Sequence, residues 1–230
     1  MIAIITAMDV ELENILSRLE HPEEIRRPGL FGYSGRLNGV DVVAAVCGVG
    51  KVCAAQCTQL LVSEYHPEAV LHSGIAGAVA PQLRHLDVVV ARELTYRDMS
   101  DETKRGFLPF GGCFVADPKL TVALRKAAPD SHLGCIATGD LFVNAQEEKD
   151  RLLRDYNALC AEMESAAVAH VCAVNRIPFG VIRCISDLAD EQAHGDYENF
   201  ELLASRKSAD ILCQAIAILN EKEGENDPKI

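Results

Sequence analysis

Four charged side chains occupy positions where an unpaired charge is costly. Glu164 stands between Met163 and the apolar run 166–174, so its carboxylate needs a partner or a helix N-terminus to offset desolvation. Asp187 follows the apolar strand pattern Gly180-Val181-Ile182-Arg183-Cys184-Ile185. Arg183 interrupts that pattern with a guanidinium that, once buried, requires a carboxylate. Glu11 lies four residues before Ile15, at the edge of a helical apolar stripe. Carboxyl groups held away from water change their proton affinity, and such groups act as general acids and bases near neutral pH. The same pattern also fits a capping Asp187, a solvated Glu11 and an Arg183 on the wet face of a sheet.

Other chemistries find no support. Gly50-Lys51 lacks both the glycine five positions earlier (Ala45) and the following Ser or Thr (Val52) of a phosphate-binding P-loop. Gly48-Val49-Gly50 starts a dinucleotide fingerprint, but the third glycine position is Cys53 and the preceding strand does not open a βαβ unit. These glycines are expected to let the backbone turn and approach a ligand closely. No GxSxG nucleophile elbow occurs. Nine cysteines form no CxxC pair, and seven histidines form no HxxxH or HExxH, so free thiols and no metal are expected.

The elements that must carry these residues alternate. Residues 1–6 form an apolar strand, and Leu12, Ile15, Leu16 and Leu19 a helix. Segments 31–37 and 40–46 pair as a hairpin across the type I′ turn signal Asn38-Gly39. A helix from Val52 to Leu61, a buried strand at 69–71, and strands at 87–91 and 94–96 follow. Residues 99–112 form the longest expected loop. A helix from Pro118 to Lys126, a strand at 133–137, a charged helix at 146–156 and a buried helix at 166–174 come next. A strand at 179–185 and an amphipathic helix at 197–219 complete a single domain over 1–220, with 221–230 as a polar tail. The fold class is α/β, in which ligands bind outside the carboxyl ends of the strands. Ala7-Met8, Gly48-Val49-Gly50, Ser73-Gly74, Thr138-Gly139-Asp140 and Ser186-Asp187 lie at five such ends and nominate one site.

Composition narrows the partners. With 230 residues, 49% of them hydrophobic, the chain suits one α/β domain. Its net charge of −12 opposes binding to a polyphosphate backbone, so no nucleic-acid partner is expected. The longest apolar stretch, 166–174, is too short for a membrane span and contains His170. The apolar start at 1–6 runs into Asp9, Glu11 and Glu13 instead of a signal-peptide pattern, so a cytoplasmic location is expected.

Six motifs in register resemble the 5′-methylthioadenosine/S-adenosylhomocysteine nucleosidase family of the purine nucleoside and uridine phosphorylase superfamily. They are Ala7-Met8-Asp9-Val10-Glu11-Leu12-Glu13, Gly48-Val49-Gly50-Lys51, Ser73-Gly74-Ile75-Ala76-Gly77, Thr138-Gly139-Asp140-Leu141-Phe142-Val143-Asn144, Glu162-Met163-Glu164 and Arg183-Cys184-Ile185-Ser186-Asp187-Leu188-Ala189-Asp190. The resemblance implies a three-layer αβα sandwich around a mixed, partly closed sheet, a homodimer, no cofactor, and a small purine nucleoside as partner. It implies hydrolysis of the N-glycosidic bond of methylthioadenosine and S-adenosylhomocysteine to adenine and a thioribose. Aminodeoxyfutalosine or 5′-deoxyadenosine hydrolysis, a purine nucleoside phosphorylase, and a non-catalytic nucleoside binder are the competing readings.

By that resemblance Asp187 is the acid that protonates adenine N7, oriented by Ser186, and Glu11 is the base that polarises water. Glu164 accepts the ribose hydroxyls while Met163 packs on the sugar. Phe142 lies against the adenine, and the Val143 backbone reads its edge. Arg183 positions Glu11 or the water, and Met8 and Val49 line the ribose and alkylthio region. Asp9, Glu11 and Glu13 crowd the place where a phosphorylase would bind a dianion, which favours hydrolysis. Three departures stand out. Ile75 replaces a common Ser, Tyr96-Arg97-Asp98 replaces Tyr-His-Asp ahead of a divergent loop through 112, and Tyr197 stands where Phe often closes the pocket.

Overall fold

The computed structural model describes residues 1–225, with side chains through Glu221. Among these residues, ten strands form one mixed sheet and seven α-helices cover it. β1 (Ile2–Thr6) is flanked by β4 (Val40–Val46) and β5 (Ala69–Ala78), both parallel to it. β5 also pairs with β10 (Phe179–Asp187) in parallel and with β9 (Ala158–Glu162) antiparallel. β6 (Val88–Tyr96) and β8 (His132–Thr138) connect β10 to β9, so the order β10-β6-β8-β9-β5 returns to β10 and closes a five-stranded ring. β3 (Leu30–Leu37) and β2 (Glu20–Arg27) extend the open edge, and β7 (Cys113–Val115) pairs with β6.

Both sheet faces are covered, which explains the unbroken apolar strands. In β1, Ile2 and Ile4 face a layer containing α1 (Asp9–Leu16), α4 (Pro118–Ala127) and α7 (Ala193–Glu225), whose Leu12, Ile15, Leu124, Leu212 and Ile216 are buried. Ala3 and Ile5 face α2 (Lys51–Tyr65) and α6 (Ser165–Asn175) through Cys57, Leu61, Val168 and Cys172. α5 (Gln146–Tyr156) packs beside β8 and β9 through Leu152. The result is the αβα sandwich around a partly closed sheet.

Several expectations need correction. β2 is an additional strand whose only buried residue is Ile25; backbone pairing with β3 holds this charged edge, which lacks an apolar alternation. β9 is likewise additional, a short segment starting after the left-handed Asn157. Segments 87–91 and 94–96 are one strand, β6, and the strand read at 69–71 continues to Ala78. Residues 99–112 are not loop throughout. Ser100 caps α3 (Asp101–Phe107) by accepting from the Thr103 N–H, and a 3-10 turn covers Pro109–Gly112. α7 starts earlier and continues to Glu225, inside the segment expected as a tail; residues 226–230 lie outside the described residues. No described helix is long and apolar enough to cross a membrane. The hairpin turn is as read, with Asn38 and Gly39 both at positive φ (51° and 78°).

Candidate active site

A cavity of about 260 Å³ opens where β1, β4, β5, β8 and β10 present their carboxyl-terminal halves. All twelve residues singled out in the sequence line it: Met8, Glu11, Val49, Ile75, Phe142, Val143, Met163, Glu164, Arg183, Ser186, Asp187 and Tyr197. Ser73 and Gly74 lie in the middle of β5 and not at its end, so this strand passes along the site.

Glu11 occupies the third position of α1, and its carboxylate is gripped on both oxygens. Oε2 accepts from the Ala7 and Met8 N–H groups (2.8 and 3.1 Å), and Oε1 accepts from the Ile75 N–H (3.2 Å). Burial raises its proton affinity above that of an ordinary glutamate, while Arg183 and these three amides pull the other way. Asp187 closes β10 with 1% exposure. Ser186 Oγ donates to one oxygen (2.8 Å) and the Ala189 N–H to the other (3.0 Å). Burial outweighs these bonds and raises its proton affinity above that of an ordinary aspartate.

Glu164 occupies the position just before α6, and its carboxylate accepts from the Gly50 N–H at 2.8 Å. Gly48 and Gly50 have φ of 84° and 99°, so glycine is needed for the chain to turn there. Burial first, and then the neighbouring Glu162 charge, push the Glu164 carboxyl up to about 8. Between about pH 4.5 and about pH 8 the folded chain therefore keeps a proton here that the unfolded chain has released. Its contribution to stability falls as pH rises through that window.

Arg183 departs from its expected role. Its Nη2 donates to Glu162 Oε2 (2.7 Å), to Ser165 Oγ (2.8 Å) and to His72 Nε2, so its bonded carboxylate is Glu162 and not Glu11. Glu162 also accepts from the Glu164 and Ser165 N–H groups and from Thr138 Oγ1. Burial alone would raise the Glu162 carboxyl, but Arg183 and then His72 draw it down to about 2. Ligand-type atoms of His72, Glu162 and Glu164 lie within 4.8 Å of one another, the spacing of a metal cage. The cation among them is the Arg183 guanidinium, whose Nη2 lies 2.7 Å from Glu162 and 4.0 Å from Glu164.

The β5 glycines make room for the site's own side chains. A Cβ on Gly74 would lie 2.6 Å from Arg183 Nη1 and 2.8 Å from Glu11 Oε1; one on Gly77 would lie 2.6 Å from Asp187 Oδ1. At the mouth, Phe142 stacks on His194 (4.7 Å between centroids) and meets Tyr197 edge-on (6.1 Å). The Tyr197 hydroxyl donates to Glu201 at 2.7 Å and lies 3.2 Å from Met8 Sδ.

Four cavity or network residues had no role assigned from sequence: Glu162, His72, Arg97 and His194. A histidine inside the apolar run of β5 was a readable sign that a buried partner awaited it. Arg97 is 5% exposed, pairs with Glu148 and donates to the carbonyls of Gly139 and Leu141, which fixes the segment bearing Phe142.

A model of the phosphorylase superfamily matches residues 1–217. The Neisseria meningitidis 5′-methylthioadenosine/S-adenosylhomocysteine nucleosidase, solved with methylthio-immucillin-A, is 30% identical with a TM-score of 0.89, over 94% of this chain and 98% of its own. The Streptococcus pyogenes S-adenosylhomocysteine nucleosidase, solved with 5-methylthiotubericidin, is 31% identical with a TM-score of 0.90, over 95% and 96%. The futalosine hydrolase of Helicobacter pylori is 30% identical with a TM-score of 0.87, over 94% and 96%. These matches bear out the resemblance read from the six motifs, and the chain belongs to the phosphorylase superfamily, where the structures it is similar to include nucleosidases.

Proposed function

We propose that this protein is a purine nucleosidase that hydrolyses the N-glycosidic bond of 5′-methylthioadenosine and S-adenosylhomocysteine, releasing adenine and the 5-thioribose product. Breaking that bond passes through an oxocarbenium-like state, so the site must neutralise the leaving base, present water to C1′ and hold the sugar. Asp187, its proton affinity raised by burial and its carboxyl fixed by Ser186, protonates adenine N7. Glu11 polarises the water. Glu164 accepts the ribose hydroxyls, with Met163 and Val49 against the sugar. Phe142 covers the adenine and the Val143 backbone reads its edge, while Met8, Ile75 and Tyr197 line the remaining wall.

The observation that carries hydrolysis over phosphorolysis is that backbone amides and cations around the cavity are already paired with carboxylates. Glu11 takes the amides of Ala7, Met8 and Ile75, Glu164 takes that of Gly50, and Asp140 takes that of Lys51. The cations are paired as well: Arg183 with Glu162, Arg97 with Glu148, and Lys51 with Asp98 and Asp140. A phosphate dianion entering this site would meet carboxylates that already hold these amides and face these cations; the unpartnered donors left on the lining arginines are the buried Nε atoms of Arg183 and Arg97.

A second reading is hydrolysis of another 5′-modified adenosine. It is favoured by the comparable similarity to a futalosine hydrolase and by Ile75 and Tyr197, which alter the cavity wall. Adenine release from 5′-methylthioadenosine, S-adenosylhomocysteine, aminodeoxyfutalosine, adenosine and inosine, compared by kcat/KM, decides between them. The two thio-nucleosides ranking highest is the expected result, and aminodeoxyfutalosine ranking first would transfer the assignment to the second reading.

Glu164 supplies a pH signature. A ribose hydroxyl donates better to an ionised carboxylate than to a carboxylic acid, so nucleoside affinity is expected to rise as pH approaches about 8. Glu164→Gln should weaken binding and remove that dependence; a parental slope in this variant would remove Glu164 from sugar binding.

A homodimer in the cytoplasm completes the proposal. Val52 and Phe107 are 78% and 84% exposed, and Val49, Phe110 and Val174 add apolar surface in the loop before α2, on the 3-10 turn and on α6. Such surface suits a second copy of the chain. All nine cysteines are free, as a reducing compartment would keep them.

A further inference from the structure

His72 lies in the middle of β5 with no exposure, and the proposed reaction gives it no task. Its ring is bracketed by two partners of opposite kind. Nδ1 lies 2.9 Å from the Ile5 carbonyl oxygen, which only accepts, so Nδ1 carries the hydrogen. Nε2 faces Arg183 Nη2, which only donates, so Nε2 offers its lone pair. A protonated ring would set N–H against N–H at Arg183.

We infer that His72 is a positioning residue: a neutral acceptor that orients the Arg183 guanidinium without drawing off its charge, leaving that charge to act on Glu11. This inference rests on the assignment of Glu11 as the base. Nη2 is held by His72, Glu162 and Ser165, and Nη1 lies over Gly74 on the same side as Glu11 Oε1. The charge of Arg183 favours the ionised form of Glu11 against its burial. Glu11 otherwise faces Glu164 at the start of α6, Tyr197 of α7 and the Cys47 thiol after β4. A carboxylate in place of His72 would add negative charge to this group and offset the guanidinium. Burial and Arg183 hold the pKa of His72 at about 3, which keeps the ring neutral throughout the working range.

Three substitutions of similar reach separate the contributions. His72→Gln keeps a neutral acceptor, His72→Glu has the same shape with a charge, and His72→Leu removes the acceptor. Gln is expected to retain kcat within about threefold, whereas Leu lowers kcat by about tenfold or more with KM within about twofold. Glu is expected to lower kcat and to move the acid limb of kcat/KM up by about half a pH unit or more. Equal losses in Gln and Leu, or Gln and Glu sharing one pH profile, would overturn the inference. A readout that needs no turnover accompanies these: nitrogen-15 spectra of the unsubstituted protein. They should show the His72 ring protonated at Nδ1 and bare at Nε2 from about pH 5 to about pH 8. Titration in that range or the opposite tautomer overturns the positioning role by itself. Absence of adenine release from every nucleoside, with the expected tautomer, would instead overturn the proposed reaction.

Discussion

Asp187→Asn is expected to lower adenine release by about 10²–10⁴-fold while nucleoside affinity stays within about threefold. The asymmetry follows from what the amide keeps. Its oxygen can still accept from the Ala189 N–H, and its NH₂ can donate to Ser186 Oγ, so the packing around β10 survives. Gly77 leaves room for a group of this shape beside it. The amide has no proton to give a leaving base. Steady-state kinetics together with direct binding measures both quantities, and turnover at the parental rate would remove Asp187 from the mechanism. The pH profile adds a second check. Because burial raises the Asp187 pKa, the alkaline limb of kcat/KM in the parent protein reports its loss of a proton, and that limb should vanish from the residual activity of the variant.

The second large effect concerns stability. Arg183→Met is expected to destabilise the fold by about 3–5 kcal/mol, because it leaves the Glu162 carboxylate buried without its counter-charge. Both side chains are almost fully buried, at 1% and 3% exposure, so solvent cannot screen the remaining charge. Adding Glu162→Gln should recover part of the loss, since a neutral amide in that pocket carries no uncompensated charge. Urea unfolding of the two single variants and the double variant measures this coupling; strictly additive losses would contradict it. The pH dependence has a definite sign. Glu162 in the folded protein is depressed to about 2 from an ordinary 4.5, so its contribution is fully present above about pH 4.5 and is lost as pH falls toward 2. In Arg183→Met that depression is relieved, and this part of the acid sensitivity should shrink.

Much of the site was legible because charge in an apolar context is hard to hide. Arg183 within an apolar strand demanded a carboxylate, and Asp187 and Glu164 stood against buried runs; all three line one cavity. What could not be read was which carboxylate answers Arg183. That depends on β10 lying beside β5 in parallel while the end of β9 delivers Glu162 across the ring, a register the local sequence does not encode. His72 escaped notice for the same reason, since its partners Ile5 and Arg183 belong to β1 and β10 on either side of β5. The glycines of Ser73-Gly74-Ile75-Ala76-Gly77 were read as part of a motif and, at Ser73-Gly74, as a strand end, and not as sites of close approach. Gly74 and Gly77 give space to Arg183, Glu11 and Asp187, a contact visible only once the strands are stacked.

The misread elements share a physical cause. β2 is held by backbone pairing at a wet edge, so its side chains carry no periodic signal. α3 is announced by its Ser100 cap and acidic first turn, but Gly106 and its charged residues obscured the helix; Lys104 is nonetheless buried, against Thr95, the Tyr96 carbonyl and the Tyr156 ring. Segments whose two faces are both covered, such as β1 and α6, were the easiest to recognise.

The central claim is that water, and not phosphate, attacks C1′ as adenine leaves. The most direct measurement is adenine release from 5′-methylthioadenosine in phosphate-free buffer and in the same buffer with inorganic phosphate, with the sugar product identified. Equal rates and a free reducing sugar in both are the expected result. Release that requires phosphate and yields a sugar 1-phosphate would contradict the claim.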